Sequence, residues 1–143
     1  MPRLTKAEQL RDTLLTGAFD AFGALDRARA GLSDAILAVP QREAAHRDAK
    51  ASLDLHTAER LLAAHEQGVV DGKNAEIREA QFAVYCAESI TLDNLRLQLE
   101  ATRRDLENCK ASLEAATALF TAARYGARLQ AAMLEMVAAT AKE

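Results

Sequence analysis

The sequence has little of what sheet proteins, disulfide-bonded proteins and membrane-spanning proteins are built from. Its 143 residues include two cysteines, two prolines, six glycines and no tryptophan, and aromatic residues make up 4%. No alternating run of β-branched and aromatic residues is long enough for a sheet. The apolar runs are far shorter than the roughly 20 residues that cross a bilayer, and the first residues carry no signal-peptide core. The sequence therefore predicts a soluble cytoplasmic protein without a membrane segment.

An excess of positive charge is also missing. The chain has 18 basic and 21 acidic residues, a net charge of −3, and both signs are interspersed along it. Proteins that bind duplex DNA usually neutralise its phosphates with clustered lysines and arginines. This composition argues against a strongly basic DNA-binding protein and leaves only a local basic stripe open.

Alanine and leucine dominate what is present. The chain contains 32 alanines and 20 leucines, and these two residue types are the strongest helix formers. A chain of this length fits one folded unit with enough apolar material for a core. We therefore expect an all-α protein, a single elongated helical domain over residues 1–143.

Two points interrupt the helical pattern, Pro40 and the segment 68–74. Gly68 is suited to a left-handed helix C-cap, Asp71 and Gly72 form a turn dipeptide, and Asn74 can cap the next helix. The expected helices are about 5–39, 42–67 and 74–140, with a turn at 68–73. Proline inside a helix removes a donor and clashes with the preceding turn, so the first arm should be bent or broken at Pro40. The result is a long antiparallel helical hairpin, resembling a coiled-coil bundle, with one long C-terminal helix.

The C-terminal stretch carries a seam of residues at alternating steps of three and four. Such a seam is typical both of a two-stranded coiled coil and of an ordinary bundle core, and both interpretations stay open. Two successive four-residue steps near 87–95 form a stutter, which predicts local unwinding there. The proposed oligomer seam consists of Leu92, Leu95, Leu99, Leu106, Leu113 and Phe120, and the same spacing continues to Val137.

The first arm repeats this pattern with two stripes. One is Leu15, Ala18, Phe22, Leu25, Arg29, Leu32, Ile36 and Val39, and the other is Ala51, Leu55, Ala58 and Leu62. The second stripe is thin, and a weakly amphipathic helix gains little from a single partner. We therefore expect a homo-oligomer that covers the surplus apolar surface, with another protein as an alternative partner.

No group of residues predicts catalysis. Glu43 and His46 match the Glu-x-x-His unit of di-iron bundles, but this unit occurs only once and such sites need two. Cys86 and Cys109 fall at buried or seam positions, where thiols are structural rather than reactive. Gly72 and Lys73 lack the rest of a phosphate-binding loop. We expect a protein that is not an enzyme, with no catalytic, metal or cofactor-binding residues and no cofactor.

One small cluster is a candidate for nucleic-acid contact. Arg124, Tyr125 and Arg128 form the least neutralised basic group of the C-terminal stretch. Aromatic side chains flanked by arginines can stack on single-stranded bases. The alternative interpretation is a solvated helix face.

Residues 71–81, DGKNAEIREAQ, together with the long charged helix after them, resemble a segment of small helical proteins of bacteriophages and prophages. The resemblance implies a viral or mobile-element accessory protein, working in the host cytoplasm and encoded beside DNA recombination functions. Together with the seam, it predicts a non-enzymatic homo-oligomeric scaffold, adaptor or accessory protein. A nucleic-acid-binding accessory factor of recombination or replication is the alternative.

Overall fold

The computed structural model describes residues 5–140, which form three helices and no strand. Helix α1 runs over Lys6–Glu66, α2 over Ala75–Ala87 and α3 over Ile90–Thr140. The all-α prediction is confirmed. Over residues 5–140, no helix combines the length and the apolar content that crossing a bilayer requires.

The start of α1 is fixed by a capping box. The Thr5 backbone N–H donates to Glu8 Oε2 at 2.7 Å, and the Glu8 N–H donates to Thr5 Oγ1 at 3.3 Å. This reciprocal pair satisfies two backbone donors that have no partner inside the helix. The hydrogen bond from the Thr5 backbone also lowers the pKa of the Glu8 carboxyl.

Pro40 does not break the first arm. Helix α1 is continuous through it, so the prediction of separate helices over 5–39 and 42–67 is wrong. Both Pro40 and Ile36, whose carbonyl loses its usual donor, are exposed, so water can satisfy that carbonyl. The packing of the residues on either side then outweighs the local cost of the proline. A bend without a break stays a prediction.

The predicted single helix over 74–140 is also wrong, because α2 ends at Ala87 and α3 begins at Ile90. The Ser89 N–H donates to the Cys86 carbonyl at 3.1 Å, and Ser89 Oγ accepts from the Leu92 N–H at 3.2 Å. Serine in this role caps a new helix instead of continuing the old one. The break lies within the region where the seam spacing predicts a stutter.

The turn between α1 and α2 follows the predicted capping chemistry. Gly68 has a φ of +67°, the left-handed conformation of a helix C-cap. Asn74 Oδ1 accepts from the Ile77 N–H at 2.9 Å as the N-cap of α2. A Cβ at Gly72 would collide with the Ile77 side chain, so glycine is required there by close packing.

The described chain divides into two compact units. The terminal unit comprises the described residues of Met1–Ala38 and Lys110–Glu143, and the turn unit comprises Val39–Cys109. Helices α1 and α3 contribute to both units; the turn unit is one continuous stretch of chain, and the terminal unit combines two segments. In the turn unit α1 and α3 run antiparallel, since Arg42 approaches Asp105 and His46 approaches Thr102. In the terminal unit Gly17 lies beside Gln130, and Leu25 shares a cleft with Phe120.

The predicted seam is the covered face of α3. Every seam residue from Leu92 to Val137 is buried or half-buried, and every other residue of α3 except Glu100 and Ala131 is exposed. This agreement shows that the three-and-four spacing identified the packing face of the helix.

The stripes predicted for the first arm are only partly covered. In the first stripe Phe22, Arg29 and Ile36 are exposed, and the covered positions lie one residue earlier, at Ala21, Ala28 and Ala35. The second stripe is wrong throughout, because all four of its residues are exposed. The covered face of that segment includes polar side chains, and its members are His46, Ala49, Leu53, His56, Thr57, Arg60, Ala63 and Ala64.

Candidate interaction surfaces

The polar residues of the turn unit are used to hold helices together. His46 Nδ1 lies 3.3 Å from Thr102 Oγ1, and Arg42 forms an ion pair with Asp105 at 3.8 Å. The Arg60 guanidinium lies 3.7 Å from the centre of the Tyr85 ring and donates to the Tyr85 carbonyl oxygen. The Arg60 Nε is buried without a partner. These contacts explain why a helix face with so few apolar residues can still pack.

Among the described residues, the side chains considered for metal binding or catalysis do not form a shared site. No group of three or more His, Cys, Asp or Glu residues within 5–140 could hold a metal ion. His46, one half of the Glu-x-x-His unit, faces Thr102 on α3. Cys86 is buried and Cys109 half-buried, both as free thiols. No arrangement of nucleophile, base and orienting group is formed by these residues.

The predicted oligomer seam packs within the chain. Leu92 is fully buried, and Leu95, Leu99 and Leu106 of the turn unit are half-buried. Leu113 and Phe120 of the terminal unit are half-buried as well. Leu92 therefore has no surface left for another molecule, and the other five residues keep only part of theirs.

The predicted basic cluster is on the surface of the terminal unit. Arg124 and Arg128 are exposed, and Tyr125 is 65% exposed. Within residues 5–140 neither arginine forms an ion pair, in contrast to Arg103 and Arg104, which both bind Glu100. Arg124 also lines a cleft of about 380 Å³ with Leu25, Asp26, Arg29 and Phe120.

The ion-pair network of α3 shows how the other arginines are neutralised. Arg103 donates to Glu100 at 2.7 Å and to Glu107 at 3.1 Å, and Arg104 donates to Glu100 at 3.3 Å. The hydrogen bond from Arg103 lowers the pKa of the Glu100 carboxyl, and the same bond raises the pKa of Arg103. These pairs follow the spacing of neighbours on one helix face.

An apolar cleft of the turn unit lies near the α1–α2 turn. It measures about 360 Å³ and lies between Val69 after α1 and Ala80, Val84 and Tyr85 of α2. Gln81 at its edge accepts from the N–H groups of Asp71 at 3.2 Å and Gly72 at 3.0 Å. Asp71, Gly72 and Gln81 therefore stabilise the turn by bonding to one another.

The largest apolar surface that sequence reasoning missed is a second seam on α3, called here the outer seam. It has the same alternation of four and three residues as the covered seam and begins two residues after Leu113. All its members are exposed, including Leu119 at 63%, Leu129 at 62% and Met136 at 70%. The outer seam consists of Ala115, Leu119, Ala122, Gly126, Leu129, Met133 and Met136.

The signal for the outer seam was available in the sequence. The part of a helix surface that is not packed within its own chain should be mostly polar, yet from Ala115 to Met136 none of the seven outer-seam positions is charged or polar. The charged residues of this stretch all lie between seam positions. A second apolar stripe on a helix predicts a second packing partner.

No protein-family model matches this chain, and neither a curated protein nor a solved structure matches it significantly.

Proposed function

We propose that this chain is a non-enzymatic helical scaffold or adaptor that assembles with copies of itself. The observation that carries the proposal is the exposed apolar surface of its helices, above all the outer seam. Contiguous apolar surface of this kind is costly to leave in water and marks interaction sites in other proteins. The antiparallel pairing of α1 and α3 in each unit supports a coiled-coil-like architecture for the scaffold.

Further exposed apolar side chains support an interaction role. On α1 of the turn unit Leu55 and Leu62 are 63% and 62% exposed, and on α1 of the terminal unit Phe19 is 77% exposed. Single exposed leucines are ordinary on protein surfaces. A phenylalanine such as Phe19, with three quarters of its surface exposed to water, is less common. The resemblance of residues 71–81 to phage and prophage proteins favours an accessory role over a metabolic one.

Sedimentation equilibrium tests the proposal directly. At tens of micromolar, the protein should have a mass of at least twice the 15.5 kDa of one chain, and dilution should lower the average mass by mass action. A strictly monomeric protein over this whole range would contradict the proposal. Circular dichroism on the same samples would show that the helices are formed.

An alternative function is a nucleic-acid-binding accessory factor. It is favoured by Arg124 and Arg128, which form no ion pair within residues 5–140, beside the exposed ring of Tyr125. It is opposed by the charge balance of the terminal unit, whose described residues include seven basic and seven acidic side chains. Binding by three residues would be weak and confined to low salt.

Fluorescence anisotropy with labelled single-stranded and duplex oligonucleotides tests this alternative at about 50 mM salt, where the phosphate contribution is large. Binding that is lost in an Arg124→Ala, Arg128→Ala double variant would support it. The matched control is Arg96→Ala, since Arg96 is exposed on the same helix but paired with Asp93 at 3.2 Å. An absence of binding at this salt concentration would remove the alternative.

A further inference from the structure

The outer seam has a spacing that allows it to pair with itself. In a symmetric antiparallel pair, residue i of one copy meets residue j of the other, and j meets i. With the two-fold axis at Gly126, Ala122 lies opposite Leu129, Leu119 opposite Met133, and Ala115 opposite Met136. Each of the seven residues then has a partner from the same set.

The sizes of the paired residues fit this axis. Small Ala122 faces large Leu129, small Ala115 faces large Met136, and at the axis the two glycines allow the backbones to approach closely. An axis at Ala122 would instead place Met133 and Met136 opposite Ser112 and Asn108, leaving two large apolar side chains on polar ones. The composition of the helix thus favours the axis at Gly126 over the axis at Ala122.

Charge does not oppose the pairing. The charged residues of α3 between Lys110 and Thr140 occupy none of the seam positions; they are Lys110, Glu114, Arg124, Arg128 and Glu135. Ala118, Tyr125 and Ala132, which precede Leu119, Gly126 and Met133, are uncharged too, whereas Arg128 and Glu135 precede Leu129 and Met136. Two copies can therefore approach along this face without burying a charge.

The exposed area of the outer seam is continuous along the helix. Leu119, Leu129, Met133 and Met136 keep 63%, 62%, 37% and 70% of their surface exposed, and with the three small residues they form a stripe about 32 Å long, given the 1.5 Å rise per residue from Ala115 to Met136. A helix from a second chain would also give the terminal unit a third helix. Its described residues come from two helices only, whereas the turn unit contains parts of three.

From this spacing, size matching and area, we infer that two copies of the chain pair through the outer seam of α3, antiparallel, about a two-fold axis at Gly126. The inference rests on the proposed self-assembly and adds its surface, its symmetry and its register. Leu119, Leu129 and Met133 are the residues that the partner covers. The dimer formed is closed, because the same face is used by both copies.

Cysteine cross-linking tests the axis. In a background with Cys86→Ala and Cys109→Ala, Gly126→Cys places two thiols at the axis, within the 4.4–6.8 Å Cα separation that a disulfide allows. Mild oxidation should then convert most of the protein to a covalent dimer. Ala122→Cys is the matched control, since it is a small, exposed residue of the same seam. Its two copies would be about 12 Å apart along the helices, given eight residues of rise, and should not cross-link.

A charge substitution tests the surface independently. Leu129→Asp should halve the sedimentation mass, whereas Leu97→Asp, at a position 69% exposed on the same helix but outside the seam, should leave it unchanged. Leu129 is 62% exposed within one chain, so the substitution should leave the fold intact, and circular dichroism on the same samples checks this.

The outcomes separate the two proposals. A wild-type dimer whose mass is insensitive to Leu129→Asp, or in which Ala122→Cys cross-links as fully as Gly126→Cys, overturns the inferred pairing and leaves self-assembly intact. A wild-type chain that is monomeric at tens of micromolar overturns both. Selective cross-linking at Gly126 together with loss of the dimer in Leu129→Asp supports both.

Discussion

The two units of this chain share α1 and α3 but hold them together by different means. In the turn unit, three helices meet, Leu92 and Ala64 are fully buried, and polar side chains such as His46 and Arg60 bridge the helices. In the terminal unit, two helices meet, and the buried residues Ala18, Ala28, Ala127 and Leu14 keep between 4% and 7% of their surface exposed. The turn unit thus contains the fully buried side chains and still exposes leucines such as Leu55 and Leu62, whereas the terminal unit leaves the outer seam of α3 uncovered.

The turn unit and the terminal unit also differ in their charges. The turn unit has nine basic and thirteen acidic residues, and those that lie near each other form ion pairs across and along helices. In the described terminal unit the two signs are equal in number. Net charge of one sign keeps surfaces apart, and its absence permits association. This difference is a reason to place the proposed self-association surface in the terminal unit.

The largest effect should come from Leu92, the largest side chain that is fully buried among the described residues. Leu92→Ala should lower the free energy of unfolding by about 2–5 kcal/mol, because it removes apolar contacts and leaves a cavity. Urea denaturation at one fixed protein concentration measures this. Leu97→Ala, at an exposed position one turn away, is the control and should cost under about 1 kcal/mol. Equal losses at both positions would mean that the turn unit has no tight core.

The second largest effect should come from Pro40, at the start of the turn unit. Pro40→Ala restores a backbone donor for the Ile36 carbonyl and removes the ring clash in a helix that is already continuous. We expect a gain in unfolding free energy of about 1–3 kcal/mol, within the cost of an interior proline. A loss of stability would show that the proline sets a bend that packing in this unit requires. Alanine at Gln41, also exposed on α1, is the control.

Comparison of these residues shows what the sequence could and could not predict. The face of α3 was predictable because its covered positions are nearly all apolar and evenly spaced. The face of α1 in the turn unit was not, because His46, Thr57 and Arg60 occupy it, and a polar residue counts as buried only when its partner is known. The partners of His46 and Arg60, Thr102 and Tyr85, are 56 and 25 residues away in sequence.

Some of the helix boundaries could be predicted from the sequence, and others could not. The turn at 68–74 was predictable, since Gly68 and Asn74 act through their own local chemistry. The break at Ser89 was not, because serine is tolerated inside a helix as well as at its start. The helix continues through Pro40 because of packing on both sides of the proline. Rules based on neighbouring residues in the sequence do not include such packing. The outer seam could also have been predicted from the sequence, because it has the same three-and-four spacing as the covered seam of α3.

A smaller effect is expected at Gln130, the polar residue on the α3 seam of the terminal unit. Its Oε1 is buried without a hydrogen-bond partner in the described structure, and it lies beside Gly17. Gln130→Met keeps a similar length and removes the unsatisfied acceptor, so the unfolding free energy should rise by about 1–2 kcal/mol. Gln98→Met, on the exposed side of α3, should change it by less than about 0.5 kcal/mol. A loss of stability in Gln130→Met would mean that the Gln130 side chain makes a stabilising hydrogen bond in solution.

The smallest effect concerns the ion pairs that distinguish the surface of the turn unit. The hydrogen bond from Arg103 holds the pKa of the Glu100 carboxyl below its ordinary value, so Arg103→Gln should raise that pKa, as followed by NMR titration of the Glu100 carboxyl carbon. Because the folded-state pKa is the lower one, the pair stabilises the fold above the ordinary pKa of glutamate. That contribution disappears as the pH falls through the lowered value.

The change in stability itself should be small, since the pair is exposed to solvent and screened by salt. Arg96→Gln is the matched control. Arg96 pairs with Asp93 through the same three-residue spacing and should leave the Glu100 titration unchanged. If Glu100 titrates identically in the wild type and in Arg103→Gln, the charged surface of the turn unit is solvated rather than paired. The contrast between the two units would then rest on helix number and burial alone, because charge pairing would no longer distinguish them.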